Sequence, residues 1–222
     1  FPKLLLIGEP TSCQAGVAQK GCIWLKLSVS GKTSHGAEPW QGINALEQGF
    51  GLFADLREEL MREEHPVLGR STLQVTMAEG GIAPNMTPDR AQFLADIRIV
   101  PPLNEKEVLN RLECLIEKRC EVYNGGLSFT PEISNYRMPV ETGPKNQWLH
   151  RLKGFIGDNA GETGINYFTD ASIFLTAWPD SPALLFGPGE PQMCHKPNEY
   201  VEISKYFEAI RVMEKFCWYI AK

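Results

Sequence analysis

Two stretches at opposite ends of the chain carry side chains suited to binding a metal ion. His195 lies in Met193-Cys194-His195-Lys196-Pro197-Asn198-Glu199-Tyr200, directly after the glycine- and proline-rich loop Gly187-Pro188-Gly189-Glu190-Pro191. A tight turn between a strand and a helix can hold backbone still and present an imidazole. Glu9 lies in Gly8-Glu9-Pro10-Thr11, directly after an apolar run. That places it at the carboxyl end of a strand, where open α/β sheets bind ligands. A carboxylate and an imidazole together suit zinc, manganese or cobalt. Two donors are too few, because a catalytic zinc takes three from the protein. The plainer reading of Glu9 is a solvated turn residue, and Cys194 reads as a free thiol rather than a ligand.

A second group of residues lies between these ends. His35 sits in a loop of small residues, Thr33-Ser34-His35-Gly36-Ala37-Glu38-Pro39, after a strong strand pattern. Asn85 lies in Gly80-Gly81-Ile82-Ala83-Pro84-Asn85, and Arg98 alternates with Ile97 and Ile99 in the strand that follows. An Arg fork can grip a carboxylate through two parallel hydrogen bonds. Read without further help, Arg98 is an ordinary strand residue facing solvent. Of the four histidines, His65 and His150 read as solvated. The doublets Glu58-Glu59 and Glu63-Glu64 read as one face of a solvated helix.

The elements that must position these residues follow from periodicity. Residues 3–7 form a short apolar run, as in a buried parallel strand. Residues 17–32 alternate with a period of two and predict one long strand. A helix is expected over 43–64, with Ala45, Leu46, Phe50, Leu52, Phe53, Leu56 and Leu60 inward. Strands follow at 71–77 and 92–100, then a helix capped by Asn104 with Glu105 and Glu107 in its first turn, then a strand at 127–133. Strand, helix, strand, strand, helix, strand is the ferredoxin-like order. After Pro139 the pattern changes to a helix at 146–155, a glycine-rich loop at 157–164, a short helix to Leu175, a strand at 183–186 and a final helix at 201–220. Ile203, Phe207, Ile210, Met213 and Phe216 are expected on the inward face of that helix. The architecture expected is an α/β domain, residues 1–16 and 134–222, interrupted by an α+β insert at 17–133.

The 222 residues allow one large domain or two small ones, and the net charge of −5 argues against a nucleic-acid partner. No apolar run approaches the ~18 residues a membrane span needs. Six cysteines without a CxxC pair read as reduced thiols of a cytoplasmic protein. The first residue is Phe and a buried strand begins almost at once, so the chain reads as the C-terminal part of a longer one.

Five motifs occur here in one order: Gly8-Glu9-Pro10-Thr11; Gly31 to His35 to Gly42-Ile43-Asn44-Ala45; Gly80-Gly81 to Asn85 to Pro88; Asp96-Ile97-Arg98; and Gly187-Pro188-Gly189 to His195-Lys196-Pro197-Asn198-Glu199-Tyr200. Together they resemble the family of acetylornithine deacetylases, succinyl-diaminopimelate desuccinylases, aminoacylases and carboxypeptidases G, which are di-zinc metallopeptidases. The resemblance implies that Glu9 and His195 each ligate one of two divalent metals, zinc first, with cobalt or manganese as alternatives. It implies that His35 belongs to a lid and dimerisation domain, reaches into the partner's site and stabilises the oxyanion. Asn85 and Arg98 match positions that grip substrate, and Thr169 in Thr169-Asp170-Ala171 lies near a substrate-binding loop. The reaction implied is hydrolysis of the N-acyl bond of a small N-acyl amino acid by a homodimer. Dipeptidase or carboxypeptidase activity, and a non-catalytic dimerisation module, are the alternatives. The family's His-x-Asp ligands, bridging Asp and Glu-Glu pair have no match here, so residues 1–222 alone are expected to be inactive.

Overall fold

The computed structural model describes residues 1–221. The strands in chain order are β1 (Leu5–Ile7), β2 (Ala15–Gln19), β3 (Gly21–Ser30), β4 (Glu64–His65), β5 (Gly69–Arg70), β6 (Thr72–Gly80), β7 (Arg90–Ile99), β8 (Ser128–Arg137), β9 (Val140–Glu141), β10 (Glu162–Ile165) and β11 (Ala183–Leu185). The α-helices are α1 (Ala45–Leu60), α2 (Glu105–Val122), α3 (Gln147–Ile156), α4 (Ala171–Ala177) and α5 (Ile203–Ile220). The chain divides into two units. One holds Phe1–Gly21, His65–Gly69 and everything from Met138 onward; the other holds Cys22–Glu64 and Arg70–Arg137.

The second unit is the ferredoxin-like insert. Its four strands lie in the order β6-β7-β3-β8. The period-two pattern of β3 buries Ile23, Leu25, Leu27 and Val29 and exposes Trp24, Lys26, Ser28 and Ser30. Those buried residues join Phe93, Ala95, Ile97 and Ile99 of β7 in one core, closed by Leu52, Phe53, Leu56 and Leu60 of α1 and by Val108 and Leu112 of α2. Each fully buried aliphatic side chain contributes about 1.5–3 kcal/mol. Asn44 and Asn104 cap the two helices, and Asn104 forms a full capping box with Glu107. The first helix is shorter than the expected 43–64. Phe50, expected inward, is 49% exposed, because it lies at the rim of the helix's apolar stripe, edge-on to Phe93.

The α/β unit is built around the strand order β1-β11-β2-β10, with β9 added to β2. The single strand expected at 17–32 is two strands, because the pairing changes at Lys20. The first belongs to this sheet and the second to the insert's, so the change of unit falls between Gly21 and Cys22 rather than at residue 17. Within the expected glycine-rich loop, residues 162–165 pair in parallel with β2 as β10. His65, expected to be solvated, is 7% exposed. Its Nδ1 accepts the Val67 and Leu68 amides at 3.3 and 3.2 Å, and Nε2 lies 3.3 Å from Glu141. A short turn between β4 and β5 folds back over the ring, which a reading of local charge could not reveal.

The final helix turns only part of the expected face inward: Phe216 is buried and Met213 half-buried. Ala209, Val212 and Phe216 are inward, whereas Ile203, Phe207 and Ile210 are 75%, 63% and 46% exposed. Both stripes of α5 are apolar, so periodicity alone could not choose between them. All six cysteines are free, and among the described residues no helix is long and apolar enough to cross a membrane.

Candidate active site

Strands β1 and β11 are parallel neighbours, with Leu5 opposite Ala183, Leu6 opposite Leu184 and Ile7 opposite Leu185. The loops that leave their carboxyl ends therefore start side by side. One carries Glu9 and the other leads to His195. Backbone hydrogen bonds staple them: the Thr11 and Cys13 amides donate to Gly187 O at 3.2 and 2.9 Å, and the Ser12 amide donates to Gly189 O at 2.8 Å. The Gly187 amide in turn donates to the buried Thr11 hydroxyl at 3.1 Å. Only glycine permits this approach, since a Cβ on residue 187 would lie 2.6 Å from the Glu9 carbonyl oxygen. The Ser12 hydroxyl donates to Glu190, which also pairs with Lys205 of α5 and so ties the second loop to that helix.

Backbone strain concentrates here. Five non-glycine residues have left-handed φ among those described, and four of them, Ser12, Cys13, His195 and Asn198, lie in these two loops. Each costs of order 1–3 kcal/mol and persists only where surrounding structure enforces it, which is typical of ligand-holding sites. The His195 amide donates to Glu199 Oε2 at 3.2 Å, closing the turn behind the exposed ring.

The carboxylate of Glu9 is half-buried, and burial raises its carboxyl above the usual carboxylate range. A hydrogen bond from Tyr167 pulls the other way, and the charge of Asp170 adds to the rise. Tyr167 Oη lies 3.5 Å from Glu9 Oε2 and 3.4 Å from Cys194 Sγ, so the two loops meet at this hydroxyl. A half-buried carboxylate, with an imidazole presented from the stapled neighbouring loop, is chemistry that fits a divalent ion. The number of donors makes only part of a cage. Among the described residues no cluster of three or more His, Cys, Asp or Glu side chains could hold a metal.

The insert assembles a second set. Its loops 33–42 and 80–88 are laced together: Gly36 N–H donates to Asn85 O at 2.7 Å, Thr87 N–H to Ser34 O at 2.9 Å, and the Ser34 and Thr87 hydroxyls lie 2.8 Å apart. His35 and Asn85 are thereby brought together, both exposed, beside a cavity of about 640 Å³ lined by residues that include Gly36, Gly81, Ile82 and Met86. His35 Nδ1 accepts the Ala37 amide at 3.1 Å. The neutral ring therefore carries its proton on Nε2, free to be donated outward. Arg98 is half-buried and held by Asp96 through a fork, Nε to Oδ1 at 2.6 Å and Nη2 to Oδ2 at 2.9 Å. Trp24 Nε1 donates to the same carboxylate at 3.1 Å.

Thr169 is placed differently from a substrate contact. It is 5% exposed, its hydroxyl donates to Gln19 Oε1 at 2.5 Å and accepts the Ala171 amide at 3.2 Å. Gln19 continues to Ser172, whose hydroxyl donates to Met138 O. Thr169 thus anchors the start of α4 and leaves its neighbour Asp170 exposed. The sequence reading missed Tyr167 and Asp170. The only local signal was their closeness to Thr169, and an aromatic in such a loop reads as core.

Residues 17–124 match the peptidase dimerisation domain. An acetylornithine deacetylase from Shigella sonnei is 29% identical over 232 residues, covering 98% of this chain and 58% of the relative. The chain is thus similar to an acetylornithine deacetylase over nearly its whole length and to a peptidase dimerisation domain over residues 17–124. It spans little more than half the length of the relatives it matches. Solved structures with the same fold include an aminopeptidase from Bacillus cereus, TM-score 0.73 at 17% identity, covering 99% of this chain and 57% of that one. A metallo-carboxypeptidase from Sulfolobus solfataricus gives 0.67 at 16%, covering 97% and 63%. The matched residues 17–124 take in most of the insert, whereas the stapled loops belong to the α/β unit.

Proposed function

We propose that this chain is part of a metal-dependent amidohydrolase that cleaves the N-acyl amide bond of a small N-acyl amino acid of the acetylornithine type. The observation that carries the reading is the stapling of the Glu9 loop to the loop that leads to His195, at the carboxyl ends of parallel strands. Glu9 would ligate one divalent ion and His195 the other, with zinc as first choice. Bound there, such ions would supply Lewis acidity toward the scissile carbonyl and an attacking water. His35, with its proton on Nε2, is suited to donate to the oxygen on which charge develops, a role typically worth about 10²–10³ in rate. Asn85 beside it would orient the substrate. Arg98, held in place by Asp96, would attract the substrate's carboxylate through its charge. We assign Thr169 to positioning its loop.

The protein is proposed to be a homodimer formed through the insert, with His35 serving the site of the second copy. The strand arrangement favours one edge. Strand β6 lies at the sheet margin with neither Pro nor Lys in it, whereas the opposite margin, β8, carries Pro131, which cannot donate to a ladder. With two donors where at least three are needed, residues 1–222 alone should bind metal weakly and turn over no substrate.

The test is a panel of N-acetylornithine, N-succinyl-diaminopimelate and simple dipeptides on the whole protein that carries this chain, before and after metal removal by a chelator. The expected result is chelator-sensitive hydrolysis of the N-acyl amino acid. Preference for dipeptides would move the protein to the peptidase branch. No turnover of any substrate with metal restored would leave a dimerisation module.

A further inference from the structure

The cavity beside His35 lies wholly within the insert, and its volume of about 640 Å³ falls in the range of small-molecule sites, roughly 300–1,000 Å³. Pro39, Ile82, Pro84, Met86 and Pro88 give it apolar walls, and among the described residues no charged one lines it. Asn44 and Thr87, the polar side chains of the lining, are already engaged. Asn44 caps α1 and donates to Glu47, and the Thr87 hydroxyl shares a hydrogen bond with Ser34. A ligand there meets carbon and backbone. Ile82 is 87% exposed and Met86 37%, so both are available to whatever enters. The shape is preformed, because the two loops are laced together and a Cβ on Gly36 would press on the Asn85 carbonyl at 3.1 Å.

His35 shares the rim of this cavity. It forms an isolated antiparallel bridge with Met86. Residues directly opposite in such a pair point to the same face, with Cβ atoms about 5 Å apart. A carbonyl that accepts the His35 Nε2 proton therefore has Met86 within reach of the groups it carries. An N-acyl amino acid offers one group on each side of that carbonyl. The amino-acid half bears a carboxylate, which is costly to bury among apolar groups without a partner. The acyl half is uncharged and matches the walls. An acetyl methyl, about the size of one water at roughly 30 Å³, would leave the cavity almost empty. We propose that the cavity is an acyl subsite for an apolar chain longer than acetyl, with Ile82 and Met86 setting the preference. The inference rests on the amidohydrolase reading and on His35 facing the scissile carbonyl. It names the acyl class that this reading leaves open.

The test uses the whole protein that carries this chain. Values of kcat/KM are measured for N-acetyl-, N-butanoyl-, N-hexanoyl- and N-octanoylornithine, in the wild type and in Ile82→Ser. Calorimetry separately measures binding of octanamide, which has the acyl chain and its carbonyl without the amino acid. In the wild type kcat/KM should rise by about two- to fourfold per added methylene. Ile82→Ser should lower the octanoyl-to-acetyl ratio by about tenfold and weaken octanamide by a similar factor. A flat chain-length series, or a ratio that Ile82→Ser leaves unchanged, would overturn the subsite while the amidohydrolase reading stands; a second copy covering the cavity would give this result. If no N-acyl amino acid is turned over, the amidohydrolase reading fails by itself. Octanamide binding that is lost in Ile82→Ser would then support the cavity as a site for apolar acyl chains, and no binding would overturn it as well.

Discussion

At the level of single residues, the stapled loops depend on backbone approach as much as on the side chains they present. Gly187 lets a carbonyl of one loop take two amides of the other, and any side chain there would press on the Glu9 carbonyl at 2.6 Å. Gly187→Ala should therefore destabilise the fold by about 1–3 kcal/mol, as overpacking does, and shift the Glu9 loop. Urea unfolding would measure the first effect and zinc affinity the second; an unchanged midpoint would show that the loops can separate without cost. The sequence exposes Glu9, His195 and His35 because each follows strand and turn signals that present a side chain. It hides Tyr167, because the bond that gives it meaning joins positions 9, 167 and 194. It also misleads at Thr169 and His65, whose polar groups are satisfied indoors by distant partners, Gln19 for one and Glu141 for the other.

At the level of elements, periodicity succeeded wherever one face alone is apolar. The alternation of β3 and the capped stripe of α2 read directly as structure. Elsewhere the pattern was ambiguous. Helix α5 is apolar on two sides, and β10 is a four-residue strand among glycines whose identity comes from pairing with β2. The open margin at β6 has its own consequence. Ala78 pairs with Phe93, so it shares the core-facing side of the sheet, yet it is exposed at the edge. An inward-pointing lysine on an edge strand blocks strand addition. Ala78→Lys should weaken the proposed homodimer about tenfold or more, which is about 1.4 kcal/mol, with the far-ultraviolet dichroism unchanged. Sedimentation velocity reads the outcome, and an undisturbed dimer would move the interface away from β6.

At the level of the whole molecule, the two units differ in how much each owes to chain continuity. The insert has its own core, both of its helices capped, and ends that meet, since Cys22 pairs with Arg137 in the β3–β8 ladder. A fragment of residues 22–137 should unfold as one cooperative transition with coincident near- and far-ultraviolet dichroism; a broad, non-coincident melt would show that it needs the α/β unit. That unit is assembled from distant segments, and one of its parallel pairs joins Leu5 to Ala183. Closing such a loop carries an entropic cost that grows with length. The order of synthesis adds a delay. At typical translation rates, roughly 10–30 s separate the emergence of β1 from that of β11, and the insert is complete in between. The Glu9 loop is thus among the first stretches of this sequence to be made, and it waits for a partner that comes near the end. If Glu9 and His195 hold metal as proposed, capture can begin only after the ribosome has delivered both loops.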